Sequence, residues 1–316
     1  MATIYVIIVT YNAMKWAEKC FTSLRSSSLP VKCITIDNGS TDGTQEYIKT
    51  HFPEVDFIQA PENLGFGKAN NLGIEKAYKA GADFFYLMNQ DAWIYSDSFQ
   101  KLLEVYSNHP DNSKIGILSP MHLDGSEKKL DLHFENYLAK DLRNNRMLSD
   151  IYFGEAKEYY EISFVNAAHW CIPRNIIEKI GGFNPYFFHG AEDYEYVNRI
   201  IYFGLKTVVC TQSKVVHDTV QSFYKKEPND KAELLKNKRL SMIMQRETKY
   251  LDLNYGYDTK REKTALLSFA LKMGAKGNIS EYKFYMEQYQ YFSKKFKEIE
   301  AARKTSMTAQ HPFLNL

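Results

Sequence analysis

Four short polar clusters in this 316-residue chain have the residue types that hold phosphates, cations and protons, and each follows an apolar run. Thr10, Tyr11 and Asn12 follow IYVIIV, and Asp37, Asn38, Ser40 and Asp42 follow VKCITI. Asn63, Gly65, Gly67 and Asn70 come after VDFIQ, and Asn89 and Asp91 after FFYLM. A carboxylate such as Asp37 can accept an N–H from a nucleobase. Its plainer use is to hold a turn, as helix capping is for Ser40 or Asp42 taken singly. Gly65 and Gly67 would let a ligand approach the backbone closely. They do not form a dinucleotide fingerprint, because they do not follow the first strand. Asp91, just past a strand, suits a divalent cation held against a pyrophosphate. Mg²⁺ and Mn²⁺ prefer oxygen ligands and often take only one or two protein carboxylates.

Two further clusters lie later in the chain. Glu192 and Asp193 open a probable helix after FFHGA. Acids there complement the helix dipole, and one in a partly dry pocket can act as a general base toward an attacking hydroxyl. Arg199, two turns on, reads as a structural partner for an acid. His217 ends the run SKVVH, where it is either a surface histidine or the imidazole ligand of a Mn²⁺-type site. Trp170, after FVNAAH, can stack on a sugar or fill the core.

The elements that must position these residues alternate. Strands are expected at 4–9, 31–36, 55–59 and 84–88, with helices at 14–26, 42–50 and 67–80 between them. That order argues for a doubly wound α/β sheet, whose ligands bind beyond the carboxyl ends of the strands. The short β-branched runs fit strands buried on both faces. Further strands are expected at 115–120, 164–174, 205–210 and 213–217, a helix at 192–203, and loops with weak helix over 124–160.

The bulk numbers exclude several classes. A net charge of +2 gives no general case for nucleic-acid binding. Four scattered cysteines, Cys20, Cys33, Cys171 and Cys210, form neither a disulfide framework nor a metal motif, which fits a reducing compartment. The first residues lack the basic and apolar regions of a signal peptide, and no stretch reaches the roughly 20 apolar residues of a membrane span. From Lys225 onward, 19 Lys and Arg face 11 Asp and Glu, a net of +8. This segment reads as helical. Tyr282, Tyr285, Tyr289, Phe292 and Phe296 repeat at helical spacing along it, as a packing face or as a face for a partner, a second copy or an anionic membrane surface.

Together, IIVTYN (7–12), IDNGSTDGT (36–44), NLGFGKANN (63–71), NQD (89–91), IGGFNPYFF (180–188), AEDYEYVNR (191–199) and His217 resemble the family-2 glycosyltransferases of GT-A fold, over roughly residues 3–222. Within the family the chain is most similar to bacterial rhamnosyltransferase-like members that build surface polysaccharide. The resemblance implies a Rossmann-like, mostly parallel mixed sheet over 1–224, with a helical extension over 225–316. It implies that Thr10, Tyr11, Asp37 and Asp42 hold a nucleotide, with Asn12, Asn38, Ser40, Gly65, Gly67 and Asn70 around it. Asp91 would bind Mg²⁺ or Mn²⁺ with help from His217. Asn89 stands at the first position of the family's Asp-x-Asp, one negative charge short. Asp193 would be the catalytic base with Glu192 beside it, and Trp170 and Asn89 would lie near sugar and acceptor. The implied reaction is an inverting transfer from a UDP- or dTDP-linked sugar, such as dTDP-rhamnose, to a glycan or lipid-linked acceptor. The implied location is cytoplasmic, at the inner membrane face. A nucleotidyltransferase would need a glycine-rich basic loop after the first strand, and AMKWAEK has no glycine. A catalytically silent scaffold should have lost Asp91 or Asp193, and both are present.

Overall fold

The computed structural model describes residues 2–219, 230–308 and 310–316. The chain forms two compact units, Met1–Lys225 with Gln310–Leu316, and Lys226–Ala309. The expected domain boundary at 224/225 and the last residues of the family resemblance lie outside the described residues.

Among the described residues, the first unit is built on a nine-stranded mixed sheet. Strands β1 (Ile4–Thr10), β2 (Val31–Asp37), β3 (Asp56–Gln59) and β4 (Phe84–Asn89) are parallel, in the order β3-β2-β1-β4. Helices α1 (Ala17–Arg25), α2 (Thr44–His51) and α3 (Phe66–Lys79) connect them. Side chains alternate along each strand, and both faces are buried. Ile4, Val6, Ile8, Tyr86 and Met88 join one core, and Tyr5, Ile7, Phe85 and Leu87 the other.

Beyond β4 the sheet continues through β8 (His169–Pro173), β6 (Ile115–Leu123) and β9 (Lys206–His217). β8 runs antiparallel to both β4 and β6, and β9 runs parallel to β6. The ends of β1, β2, β4, β6 and β9 therefore share one edge. β9 is continuous, where the sequence suggests two strands. Its free side pairs with β7 (Tyr159–Ile162) over its first half and β5 (Ala92–Ile94) over its second. The segment 124–160 holds more helix than its polarity implies: α5 (Leu132–Asn144) and α6 (Met147–Tyr152), after α4 (Ser98–Asn108). Phe134, Leu138 and Asp141 are the buried stripe that docks α5. Helices α7 (Arg174–Ile180) and α8 (Glu192–Tyr202) flank β8 and precede β9. Arg199 is fully buried, pairs with Glu195 at 3.0 Å, and donates to the Ile180 and Gly182 carbonyls.

Residues 310–316 belong to this α/β unit rather than to the helical one. The Gly182 N–H donates to the Pro312 carbonyl at 2.9 Å, and Leu314 enters the core. Gly181 has φ +75°, and a Cβ there would lie 2.1 Å from the Pro312 oxygen. The Gly-Gly pair is thus a landing place for this segment.

The second unit holds α9 (Lys231–Leu251), α10 (Thr259–Ala275) and α11 (Ile279–Thr308). The aromatic repeat largely packs inside it. Phe292 and Phe296 are buried around Tyr250, and Tyr285 stacks on Phe269. No described helix is long and apolar enough to cross a membrane. All four cysteines are buried and unbridged.

Candidate active site

The strand ends surround a cleft of about 470 Å³. Its lining includes Tyr11, Asn38, Asn63 and Gly65 on one side, Asn89, Gln90 and Asp91 at its floor, and Phe188 and His189 ahead of α8. Gln90 ties β1 to β4. Its Oε1 accepts the Tyr11 N–H at 2.7 Å, and its Nε2 donates to the Tyr11 carbonyl at 3.1 Å. The Tyr11 ring stays half exposed above the cleft. Asn38 donates to the Gly65 carbonyl and accepts the Leu64 N–H, both at 3.3 Å, so two strand-end loops are joined across the cleft.

Several expected ligand residues serve the protein itself. Asp37 is wholly buried, and both of its oxygens are engaged. Oδ1 accepts the N–H groups of Gly39 (3.1 Å) and Ser40 (2.9 Å) and the Gln45 amide (2.7 Å); Oδ2 accepts the hydroxyls of Thr10 (2.9 Å) and Ser40 (2.5 Å). Asp37 and Thr10 therefore organise the turn, with Asp37 already accepting five hydrogen bonds from the protein. Asp42 accepts the N–H groups of Met14 and Thr44 and the Thr44 hydroxyl. Burial opposes its charge, but these hydrogen bonds prevail and hold its pKa below the ordinary value. Asn12, at φ +54°, accepts the Thr41 N–H at 2.9 Å and locks the same turn. Gly65 has φ +78°, and a Cβ there would meet the Phe188 oxygen at 2.0 Å; a Cβ on Gly67 would meet that of Phe183 at 3.0 Å. Both glycines admit protein, although Gly65 also faces the cleft. Asn70 is buried and donates to the Phe66 carbonyl within α3. Trp170 is a core residue with 0% exposure, packed against Phe183 and Tyr196. Its position in β8 turns it into the core on the α8 side of the sheet.

The other end of the cleft is different. The β5–β9 register sets Ala92 opposite His217, and the Asp218 N–H donates to the Asp91 carbonyl at 2.8 Å. Asp91 Oδ1 then lies 3.6 Å from His217 Nε2, and the Asn89 amide nitrogen lies 3.3 Å from it. Asn89 Oδ1 is buried with no partner. His217 Nδ1 faces Asp131 Oδ2 at 3.1 Å. Burial alone would lower the His217 pKa, but Asp131 and Asp91 outweigh it and raise it to about 9. Behind it, His122 and His169 are buried, and burial pushes both below the ordinary histidine value. Among the described residues no three acids, histidines or cysteines form a closed cage. The Asp91 carboxylate and the His217 Nε2 are close enough to share a divalent cation that takes its remaining ligands from a substrate and water, with the orphaned Asn89 oxygen available only if that amide turns, since its nitrogen now faces Nε2.

Glu192 and Asp193 open α8 after Ala191, whose φ is +71°. The Tyr194 N–H donates to Asp193 Oδ1 at 2.8 Å, and the Ala167 N–H bears on the same carboxylate. The next residue, Ala168, accepts the Asn89 N–H at 3.0 Å. Asp193 therefore sits at the same sheet edge as Asn89 and Asp91. Burial, reinforced by the Glu192 charge, raises its pKa to about 7. Glu192 is 5% exposed, its Oε2 has no partner, and burial raises its pKa as well. Tyr137 of α5 feels the charges of Asp193 and Asp131. Phe164 stacks on Tyr194 at 3.9 Å beside it.

Asp131 and Gln90 are the contributors that sequence reasoning missed. The signal for Asp131 was an aspartate placed just before the α5 stripe, which marks a helix start. Gln90 stands inside NQD, but its role needs the pairing of β1 with β4.

A doubly wound α/β sheet with a cleft of about 470 Å³ and polar residues at its strand ends is the architecture of a ligand-binding α/β domain. Residues 5–181 match the family model "Glycosyl transferase family 2", more than half the chain, and the chain belongs to that family. The "dTDP-rhamnosyl transferase RfbF" of Shigella flexneri is 24% identical over 217 residues, covering 68% of this chain and 69% of that protein. The "N-acetylglucosaminyl-diphospho-decaprenol L-rhamnosyltransferase" of Mycobacterium tuberculosis is 26% identical over 237 residues, covering 69% and 76%. The crystal structure of S. aureus TarS superposes with a TM-score of 0.50 at 15% identity. It covers 91% of this chain and 55% of the longer TarS chain, a likeness of fold.

Proposed function

We propose that the protein is an inverting, metal-assisted glycosyltransferase of polysaccharide synthesis, with dTDP-rhamnose as the first donor to test. The observation that carries this reading is the Asp193 carboxylate at the start of α8, on the same sheet edge as the Asn89–Asp91–His217 corner. Two relatives named as rhamnosyltransferases support the sugar, and one of them names a dTDP donor and the other a lipid-linked acceptor. Tyr11 and Asn38 hold the nucleoside end of the cleft, and Asp91 and His217 would hold the metal beside the diphosphate. When bound, the cation neutralises charge that develops on the leaving diphosphate. Asp193 takes the proton from the acceptor hydroxyl as its oxygen bonds to the anomeric carbon. The bond to the departing diphosphate breaks in the same step, on the opposite face, so configuration inverts without a covalent intermediate.

A lipid-linked acceptor would hold the protein at the inner membrane face. Exposed Leu234, Leu235, Leu240 and Met244 on α9, interleaved with Lys236 and Lys238, support such contact with anionic headgroups. Liposome sedimentation decides between this and self-association through the same helix.

The principal test is a thermal-shift screen with Mn²⁺ against dTDP, UDP and GDP, with and without EDTA, followed by turnover of the matching sugar donors. A metal-dependent rise with dTDP or UDP is expected. No rise with any nucleoside diphosphate would overturn the reading.

A further inference from the structure

We propose that Asp131 is a positioning residue, fixing the ring and proton of His217 so that Nε2 is presented as a metal ligand. The inference rests on the metal-site reading above. Asp131 is 1% exposed and starts α5. Its Oδ1 accepts the Phe134 N–H at 2.9 Å, which is all that a helix cap requires. Its Oδ2 is used differently. It accepts the Thr219 hydroxyl at 2.7 Å and lies 3.1 Å from His217 Nδ1.

The backbone fixes this arrangement from both sides. Leu123 bridges back to Leu130, and the Asp131 N–H donates to the His122 carbonyl at 2.9 Å. β6 lies beside β9 with His122 opposite Val215 and Leu123 opposite Val216. The His122 ring stands edge-on to His217 at 6.3 Å and stacks on Phe134. The 3.1 Å contact is within reach of a hydrogen bond but is not aligned as one here; a small turn of the ring would let the neutral imidazole donate Nδ1–H to Asp131 and keep its lone pair on Nε2. Nε2 is the atom that faces Asp91 at 3.6 Å. Such carboxylate–histidine pairs orient metal-ligating imidazoles generally.

The discriminating variant is D131N. Asparagine caps helices as well as aspartate, and its oxygen can still accept the Phe134 N–H. Its amide then offers N–H groups to His217, which must accept at Nδ1 and carry its proton on Nε2, where no metal can bind. In the presence of dTDP, Mn²⁺ affinity read by EPR should fall about 10–100-fold in D131N with little change in Tm. D91N, measured alongside, should also lose Mn²⁺. In the unmutated protein loaded with ¹¹³Cd²⁺, nitrogen NMR should show His217 Nε2 coupled to the metal and Nδ1 protonated. Metal loss in D91N with unchanged affinity in D131N would overturn the role of Asp131, as would metal coupling at Nδ1. Unchanged binding in D91N would instead overturn the metal reading, and this inference with it.

Discussion

The turn after β2 and the corner formed by β5, β9 and the start of α8 both gather carboxylates at one edge of the sheet, and they use them in opposite ways. In the turn, Asp37 accepts five hydrogen bonds and Asp42 three, from protein amides and hydroxyls. In the corner, Asn89 Oδ1 and Glu192 Oε2 are buried without partners, and the Asp193 proton is held to about pH 7. A satisfied carboxylate is a strut. A poorly satisfied one costs stability and is free to react, which is how active-site groups commonly differ from structural ones.

The largest expected effect comes from breaking the corner. D193N should lower kcat by about 10²–10⁴-fold while leaving the dTDP thermal shift intact. The same change should stabilise the folded protein. Asp193 has a folded pKa above its unfolded one, so its protonated form is favoured by folding. Stability is greatest below the unfolded value and is lost as pH rises through about 7. Above that pH, D193N should gain on the order of 1 kcal/mol, roughly 2–4 °C in Tm, allowing for partial solvent access. An unchanged kcat would remove Asp193 as the base.

Next in size is the pH profile. kcat/KM should rise about tenfold per pH unit below neutrality and level off above about 7, following Asp193 ionisation. A profile flat from pH 5 to 8 would contradict the raised pKa.

Breaking the turn should look different. D37A leaves several buried donors unpaired and should cost about 2–3 kcal/mol in chemical denaturation. At temperatures where the protein stays folded, its effect on kcat should be far smaller than that of D193N. The smallest effect belongs to Trp170. W170F should cost about 1–2 kcal/mol of packing and leave KM for donor and acceptor unchanged; a raised acceptor KM would return Trp170 to the site.

The parallel half of the sheet was legible in the sequence because each buried strand is a short apolar run followed by polar residues. The antiparallel half was less so. β7 (YYEI) is four residues long and polar at alternate positions, and β5 is three residues long. α5 hides a three-residue buried stripe in a charged segment. Among site residues, Asp91, His217 and Asp193 stood out because a metal and a base need those side chains at strand and helix ends. Asp37, Thr10 and Gly67 carry the same residue types at the same kind of place. Only the contacts they make distinguish them, and some of those come from residues distant in sequence, as Thr10 is from Asp37 and Phe183 from Gly67. Asp131 acts across two strands, and no local pattern marks that.

The return of residues 310–316 to the α/β unit makes the helical unit an insertion in the chain. Leu314 and the Pro312 carbonyl complete a core whose other members are translated before the three helices. At about 5–20 residues per second, the ribosome spends roughly 4–17 s on Lys226–Ala309 before that piece exists. During that interval the Gly181–Gly182 landing place is open and the core is short of Leu314. The nascent α/β unit should therefore be at its most protease-sensitive until residues 310–316 are free to dock.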